Sequence, residues 1–95
     1  NMDKFNEHTF AICAYKESKF LEECIESIIN QEVESNIIIA TSTNNDYINN
    51  LGEKYNIPVY IRDGKPDIQD DWNFAYQNAK TKYVTIAHQD DIYDK

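Results

Sequence analysis

Apolar positions along this chain switch between two spacings, and each switch marks an element. Thr9–Ala14 is a short apolar run that reads as a buried strand. From Lys19 to Gln31, the residues Phe20, Leu21, Cys24, Ile25, Ile28 and Ile29 recur at helical spacing, while Glu22, Glu23, Glu26, Ser27 and Asn30 take the other face. This predicts an amphipathic helix with Ser18 as its N-cap. Asn36–Thr41 carries three contiguous isoleucines, Ile37, Ile38 and Ile39, the pattern of a strand covered on both faces. After the polar loop Ser42-Thr43-Asn44-Asn45, an apolar stripe of Tyr47, Ile48, Leu51 and Tyr55 predicts a helix from Asp46 to about Tyr55, with Gly52 inside it as a weakening element.

Ile57–Arg62 reads as a third strand with Pro58 near its start, where a missing N–H is tolerated. Asp63-Gly64-Lys65-Pro66 reads as a turn. Ile68, Trp72, Ala75, Tyr76 and Ala79 then fall on one helical face, with Trp72, Tyr76 and Ala79 expected in the core and Asp70 and Asp71 complementing the helix dipole. Lys82–Ala87 is the fourth strand. The order β-α-β-α-β-α-β with short connections predicts a three-layer α/β fold with a mostly parallel sheet. In such a sheet the segments following the strands, 14–17, 41–45, 63–65 and 88–91, converge at one end, where ligands bind.

The chain of 95 residues suffices for one small domain. Residues 1–8 read as a tail and 9–95 as one α/β subdomain, interrupted before a second half; Asn1 ahead of Met2 reads as a cloning remnant. A formal net charge of -8 argues against a nucleic-acid partner, which would need clustered Lys and Arg. No apolar run is long enough for a transmembrane segment and no signal peptide is evident, so a cytoplasmic location is expected, with the inner membrane surface reached through a following part. Cys13 and Cys24 read as buried, reduced thiols. The two glycines, Gly52 and Gly64, cannot write a glycine-rich phosphate loop of either common kind.

Chemistry concentrates after the fourth strand, in His88-Gln89-Asp90-Asp91. Two carboxylates and an imidazole suit a divalent cation, and a cation at a strand end suits a phosphate-bearing substrate. The alternative is an acidic turn with a structural His88. Imidazole favours Mn2+ over Mg2+. Tyr15 offers a flat ring for a nucleobase, or simple packing. Ser42, Thr43, Asn44 and Asn45 offer hydrogen bonds to ribose or base, or a helix cap. Asp63 offers a base or ribose contact, or an Asp-Gly turn.

Taken together, these residues resemble the N-terminal, nucleotide-sugar-binding half of family 2 glycosyltransferases. Phe10-Ala11-Ile12-Cys13-Ala14-Tyr15-Lys16-Glu17 resembles the family's first strand and its Tyr-containing turn; Phe20 to Gln31 is similar to its first helix; Asp71-Trp72-Asn73-Phe74-Ala75 sits where many members carry A-x-N-x-A; and His88-Gln89-Asp90-Asp91 sits at the D-x-D motif. The resemblance implies a Rossmann-like GT-A fold. It also implies transfer of a sugar from a nucleotide-diphosphate donor to a saccharide or lipid-linked acceptor hydroxyl, with Mn2+ or Mg2+ as cofactor. It places Tyr15 against the nucleobase, Thr41 to Thr43 facing the nucleoside, and Asp90 on the metal with Asp91 beside it. With the strand-end readings above, the nucleotide-binding candidates are Ala14, Tyr15, Glu17, Thr41, Ser42, Thr43 and Asp63, and the metal candidates Asp90, Asp91 and His88. Two departures stand out. The loop Ala40-Thr41-Ser42-Thr43-Asn44 lacks the Asp that contacts the base in the family, and His88 replaces the first Asp of the motif. No catalytic base is expected within these residues, so the 95-residue stretch alone is expected to be inactive. The competing expectations are a non-catalytic interaction or nucleotide-binding module on the same fold, or another phosphate-transfer enzyme. A phosphatase with its nucleophilic Asp after the first strand is disfavoured by Ala14-Tyr15 at that place.

Overall fold

A computed structural model describes residues 7–31 and 35–89. The strands are β1 (His8–Ala14), β2 (Asn36–Thr41), β3 (Val59–Ile61) and β4 (Tyr83–His88), and the helices are α1 (Leu21–Ile29), α2 (Asp46–Tyr55) and α3 (Ile68–Ala79). The sheet order is β3-β2-β1-β4. All three pairings are parallel, with Ala14 opposite Thr41, Thr41 opposite Ile61 and Cys13 opposite His88. The carboxyl ends of the four strands therefore share one end of the sheet, with β1 in the middle and β4 beside it. Among the described residues no helix is long and apolar enough to cross a membrane.

Period-2 geometry sends alternate side chains to opposite faces of a strand, and here each face meets its own helices. Ile12, Ala14, Ile39 and Ala87 pack with Leu21, Cys24, Ile25 and Ile28 of α1 and Ile48 and Leu51 of α2. Ala11, Ile38 and Ala40 pack with Ala75 and Ala79 of α3, and Phe74 closes the side of that layer. The contiguous isoleucines of β2 are thus read by both layers, as the sequence expects of a doubly covered strand.

Several boundaries differ from expectation. The first helix begins at Leu21, not Lys19, and its N-cap position is held by Phe20 with no side-chain cap bond. Ser18, the expected cap, instead accepts the Phe20 N–H on its hydroxyl at 3.2 Å and the Tyr47 hydroxyl on its carbonyl at 2.5 Å, tying the turn to α2. Asn45 caps α2 as expected, accepting from the Ile48 N–H at 2.8 Å. The third strand shrinks to Val59–Ile61, flanked by bonds from Ile39 N to the Pro58 carbonyl and from Arg62 N to the Thr41 carbonyl. The expectation that Trp72 and Tyr76 are core is corrected: they are 40% and 63% exposed, and Ile68 on the same stripe is 71% exposed. α3 meets the sheet through its alanines, so its bulkiest apolar stripe stands aside from the contact.

Gly52 sits inside α2 for a steric reason. A Cβ there would lie 2.6 Å from Val59 Cγ2 and 2.9 Å from the Ile57 carbonyl oxygen. The Ile57 N–H also bonds the Gly52 carbonyl at 2.8 Å, pinning the chain against the helix. Gly52→Ala gains about 1 kcal/mol of helix propensity but collides with backbone that cannot yield, at a cost of about 1–3 kcal/mol. A net loss of stability is expected, read as a lower urea midpoint with an unchanged denaturant slope.

Candidate functional site

The converging strand ends open onto a cleft of about 720 Å³, within the size range of small-molecule sites. Cys13, Ala14 and Tyr15 line it from β1 and the turn that follows; Asp71 and Trp72 from α3; His88 and Gln89 from the end of β4. Phe20 and Ile68 add apolar wall. A smaller cleft of about 450 Å³ opens at the opposite end of the sheet, beside Ile37, Asn56, Pro58 and Lys80, and its lining holds no acidic residue.

The Tyr15 turn is held from two sides. Gln89 forms a two-point clamp: its Oε1 accepts from the Tyr15 N–H at 2.9 Å, and its Nε2 donates to the Tyr15 carbonyl at 3.2 Å. The next residue, Lys16, adopts a left-handed φ of 54°, which costs a non-glycine residue about 1–2 kcal/mol. Its N–H donates to Thr43 Oγ1 at 2.6 Å. The turn thus joins the ends of β2 and β4 and presents the Tyr15 ring, 46% exposed, as a cleft wall. Packing into the core, the other expectation for Tyr15, is not what the ring does.

The far wall centres on Asp71. Its Oδ1 accepts from Arg62 Nε at 2.8 Å, and its Oδ2 accepts from Ser42 Oγ at 3.2 Å and the Asp67 N–H at 3.3 Å. Arg62 further donates to the carbonyls of Asp63 and Lys65, at 3.2 and 2.5 Å. A role confined to the helix dipole is therefore corrected: Asp71 also ties the tips of β2 and β3 to the start of α3. Burial, assisted by the Asp71 charge, pushes the Cys13 thiol up to about 11. Cys13 is accordingly a neutral wall of the cleft at physiological pH rather than a nucleophile. Cys13 and Cys24 are both thiols, not a disulfide. The His88 ring lies 5.3 Å from that of Trp72, tilted by 52°.

Of the nucleotide candidates, the structure gathers Ala14 and Tyr15 at the cleft, with the metal candidate His88 opposite. Thr41 is buried, and its hydroxyl accepts from the Thr43 N–H at 3.0 Å. Thr43 is occupied with Lys16, and Ser42 reaches the cleft wall through Asp71. Glu17 and Asp63 are exposed and stand outside the cleft lining. Asp90 and Asp91 lie outside the described residues. Among the described residues no group of three His, Cys, Asp or Glu side chains is placed to hold a cation; His88 contributes one imidazole.

Sequence reasoning missed Gln89 and Asp71 as site residues. The signal for Gln89 was its place between His88 and Asp90. For Asp71 it was Arg62, an opposite charge across the intervening turn.

Comparison with known families gives a match between residues 9–95 and the family described as Glycosyl transferase family 2. No curated protein matches the chain at a significant level.

Proposed function

Because the chain belongs to glycosyl transferase family 2, we propose that its cleft binds the nucleotide-diphosphate sugar from which a glycosyl group passes to a saccharide or lipid-linked hydroxyl. The observation that carries this is the parallel pairing of β1 with β4, with Cys13 opposite His88. It sets the segment entering Asp90-Asp91 beside the Tyr15 turn. Tyr15 offers its ring to the nucleobase, and Gln89 fixes the backbone that carries the ring by bonding both its N–H and its carbonyl. Such rigid presentation lowers the ordering cost of binding.

The family's chemistry implies a divalent cation. An imidazole donor at His88, with Asp90 and Asp91 next in the chain, is a mixed nitrogen and oxygen set that suits Mn2+ better than Mg2+. His88, Asp90 and Asp91 would hold the cation, which would supply positive charge to a departing diphosphate. The chain's net charge of -8 opposes the approach of a polyanionic ligand, and positive charge at that place offsets it.

Calorimetric titration of the intact protein with UDP and GDP, with and without Mn2+, tests the proposal. Binding that strengthens with Mn2+ is expected. Absence of metal-dependent binding by any nucleoside diphosphate overturns it.

A further inference from the structure

We propose that Asp71 sets base selectivity in this cleft, its carboxylate accepting a ring N–H so that uracil, thymine or guanine is bound in preference to cytosine. The inference rests on the cleft being a nucleotide site and adds which atom reads the base.

Asp71 has the placement such a reader needs. It is on α3, yet its carboxylate stands at the tip of β2, joined to Ser42 Oγ at 3.2 Å. It lines the cleft beside Trp72, and its side chain is 23% exposed. The other acidic residue of the described wall, Asp67, turns its carboxylate to the Asp70 N–H at 2.9 Å as the α3 cap. Both carboxylates keep acceptor capacity, but Asp67 is exposed at the helix cap, whereas Asp71 is half-buried in the wall and held in one orientation by its donors. An ionised carboxylate offers about four acceptor sites, and Arg62, Ser42 and Asp67 occupy three.

Those three donors also immobilise it. Arg62 is itself fastened to the Asp63 and Lys65 carbonyls, so the carboxylate is held from behind by a guanidinium that cannot swing away without breaking the turn. Ser42 spends its hydroxyl hydrogen on Asp71, leaving only acceptor capacity facing outward. An edge made of a carboxylate and an oriented hydroxyl accepts hydrogen bonds and repels lone pairs. Uracil and thymine carry N3–H at the centre of their pairing edge and guanine carries N1–H; cytosine presents a lone pair at that central position, and its edge donor is the exocyclic N4–H2 to one side. Tyr15 and Trp72, 46% and 40% exposed, supply the flat apolar surface that a planar ring needs beside this edge. A site built around a substrate N–H discriminates against the analogue lacking it, because the half-buried acceptor is then left facing a lone pair.

The test compares UDP with CDP, which differ at that edge alone. The chain has a single tryptophan, Trp72, so its emission reports occupancy of the cleft directly. In the intact protein with Mn2+, UDP is expected to bind at least about tenfold more tightly than CDP. Asp71→Asn is expected to bring the ratio close to one, mainly by weakening UDP. Arg62→Ala removes the ion pair but keeps the carboxylate; it is expected to lower the melting midpoint and to keep the preference for UDP. A purely structural Asp71 would weaken both nucleotides together and leave the ratio unchanged. Equal affinities in the wild type, or an unchanged ratio in Asp71→Asn, overturn this inference and leave the nucleotide site standing. Failure of both nucleotides to bind overturns the two together. If Asp71→Asn does not fold, the wild-type ratio and the protection of the bound UDP imino proton from solvent exchange decide the matter: a ratio near one with an unprotected imino proton overturns the inference.

Discussion

Asp90→Asn is expected to lower the Mn2+-dependent affinity for nucleoside diphosphates by about two orders of magnitude, with the melting midpoint unchanged. The magnitude follows from the role proposed for Asp90. Groups that merely support metal ligands cost about 10–100-fold when removed, and a direct carboxylate ligand costs at least the upper end of that range. The amide keeps the size of the side chain and removes the charge that the cation requires. Titration with UDP in the presence and absence of Mn2+ measures the effect as a ratio of two affinities in one protein. A metal-free interaction module on this fold makes the opposite prediction, an unchanged affinity for its partner. Intact metal-dependent binding in Asp90→Asn would remove Asp90 from the site.

Ile12→Ala is expected to be the most damaging substitution for stability. Ile12 is fully buried in the middle of β1, with Ile39 of β2 and Ala87 of β4 as its register partners and Leu21 and Ile25 of α1 in the same apolar cluster. Truncating such a residue costs about 2–5 kcal/mol through lost transfer energy and the cavity left behind. Domains of this size have only about 5–15 kcal/mol in total, and each kcal/mol moves the melting midpoint by about 4–8 °C. A drop on the order of 10–30 °C should appear by calorimetry. Trp72→Ala is the informative control. It removes a larger side chain, but one that is 40% exposed, so a smaller loss is expected. A larger loss at Trp72 than at Ile12 would contradict the placement of the core.

The element order was legible because its signals are local. Ile37-Ile38-Ile39 can be satisfied only where both faces are covered, and the stripe from Leu21 to Ile28 closes on itself within three turns. Once β-α-β alternation is granted, parallel pairing and shared strand ends follow, but alternation leaves the strand order open, and the place of β4 beside β1 comes from the packed molecule. What was not legible lies in contacts between distant segments. Periodicity marks Ile68, Trp72 and Tyr76 as one face of a helix, but it does not say which face meets the sheet. That is decided by Ala75 and Ala79, which are small enough for α3 to approach Ala11 and Ala40 closely. Likewise Asp71 looks like an ordinary first-turn acid until Arg62 and Ser42 arrive from two other strand ends. Ser18 fails as a cap because the chain stays helical through Phe20, whose φ and ψ of -88° and -10° leave no extended N-cap for a side chain to complete. The candidate site was thus half readable: Tyr15 and His88 from their places at strand ends, Gln89 and Asp71 only from the packed molecule.

The proposed function requires a cation and a diphosphate to meet at the β1 and β4 tips. Mn2+ is paramagnetic and broadens the NMR signals of nearby nuclei, so titrating it into the isotopically labelled protein with UDP locates the ion directly. Early and selective broadening of the amides of Ala14, Tyr15, His88 and Gln89 is expected, with Asn56, Pro58-flanking Ile57 and Lys80 at the far end of the sheet unaffected. Broadening centred on the Glu22 and Glu26 carboxylates of α1, on the far end, or nowhere in particular would contradict the proposed function.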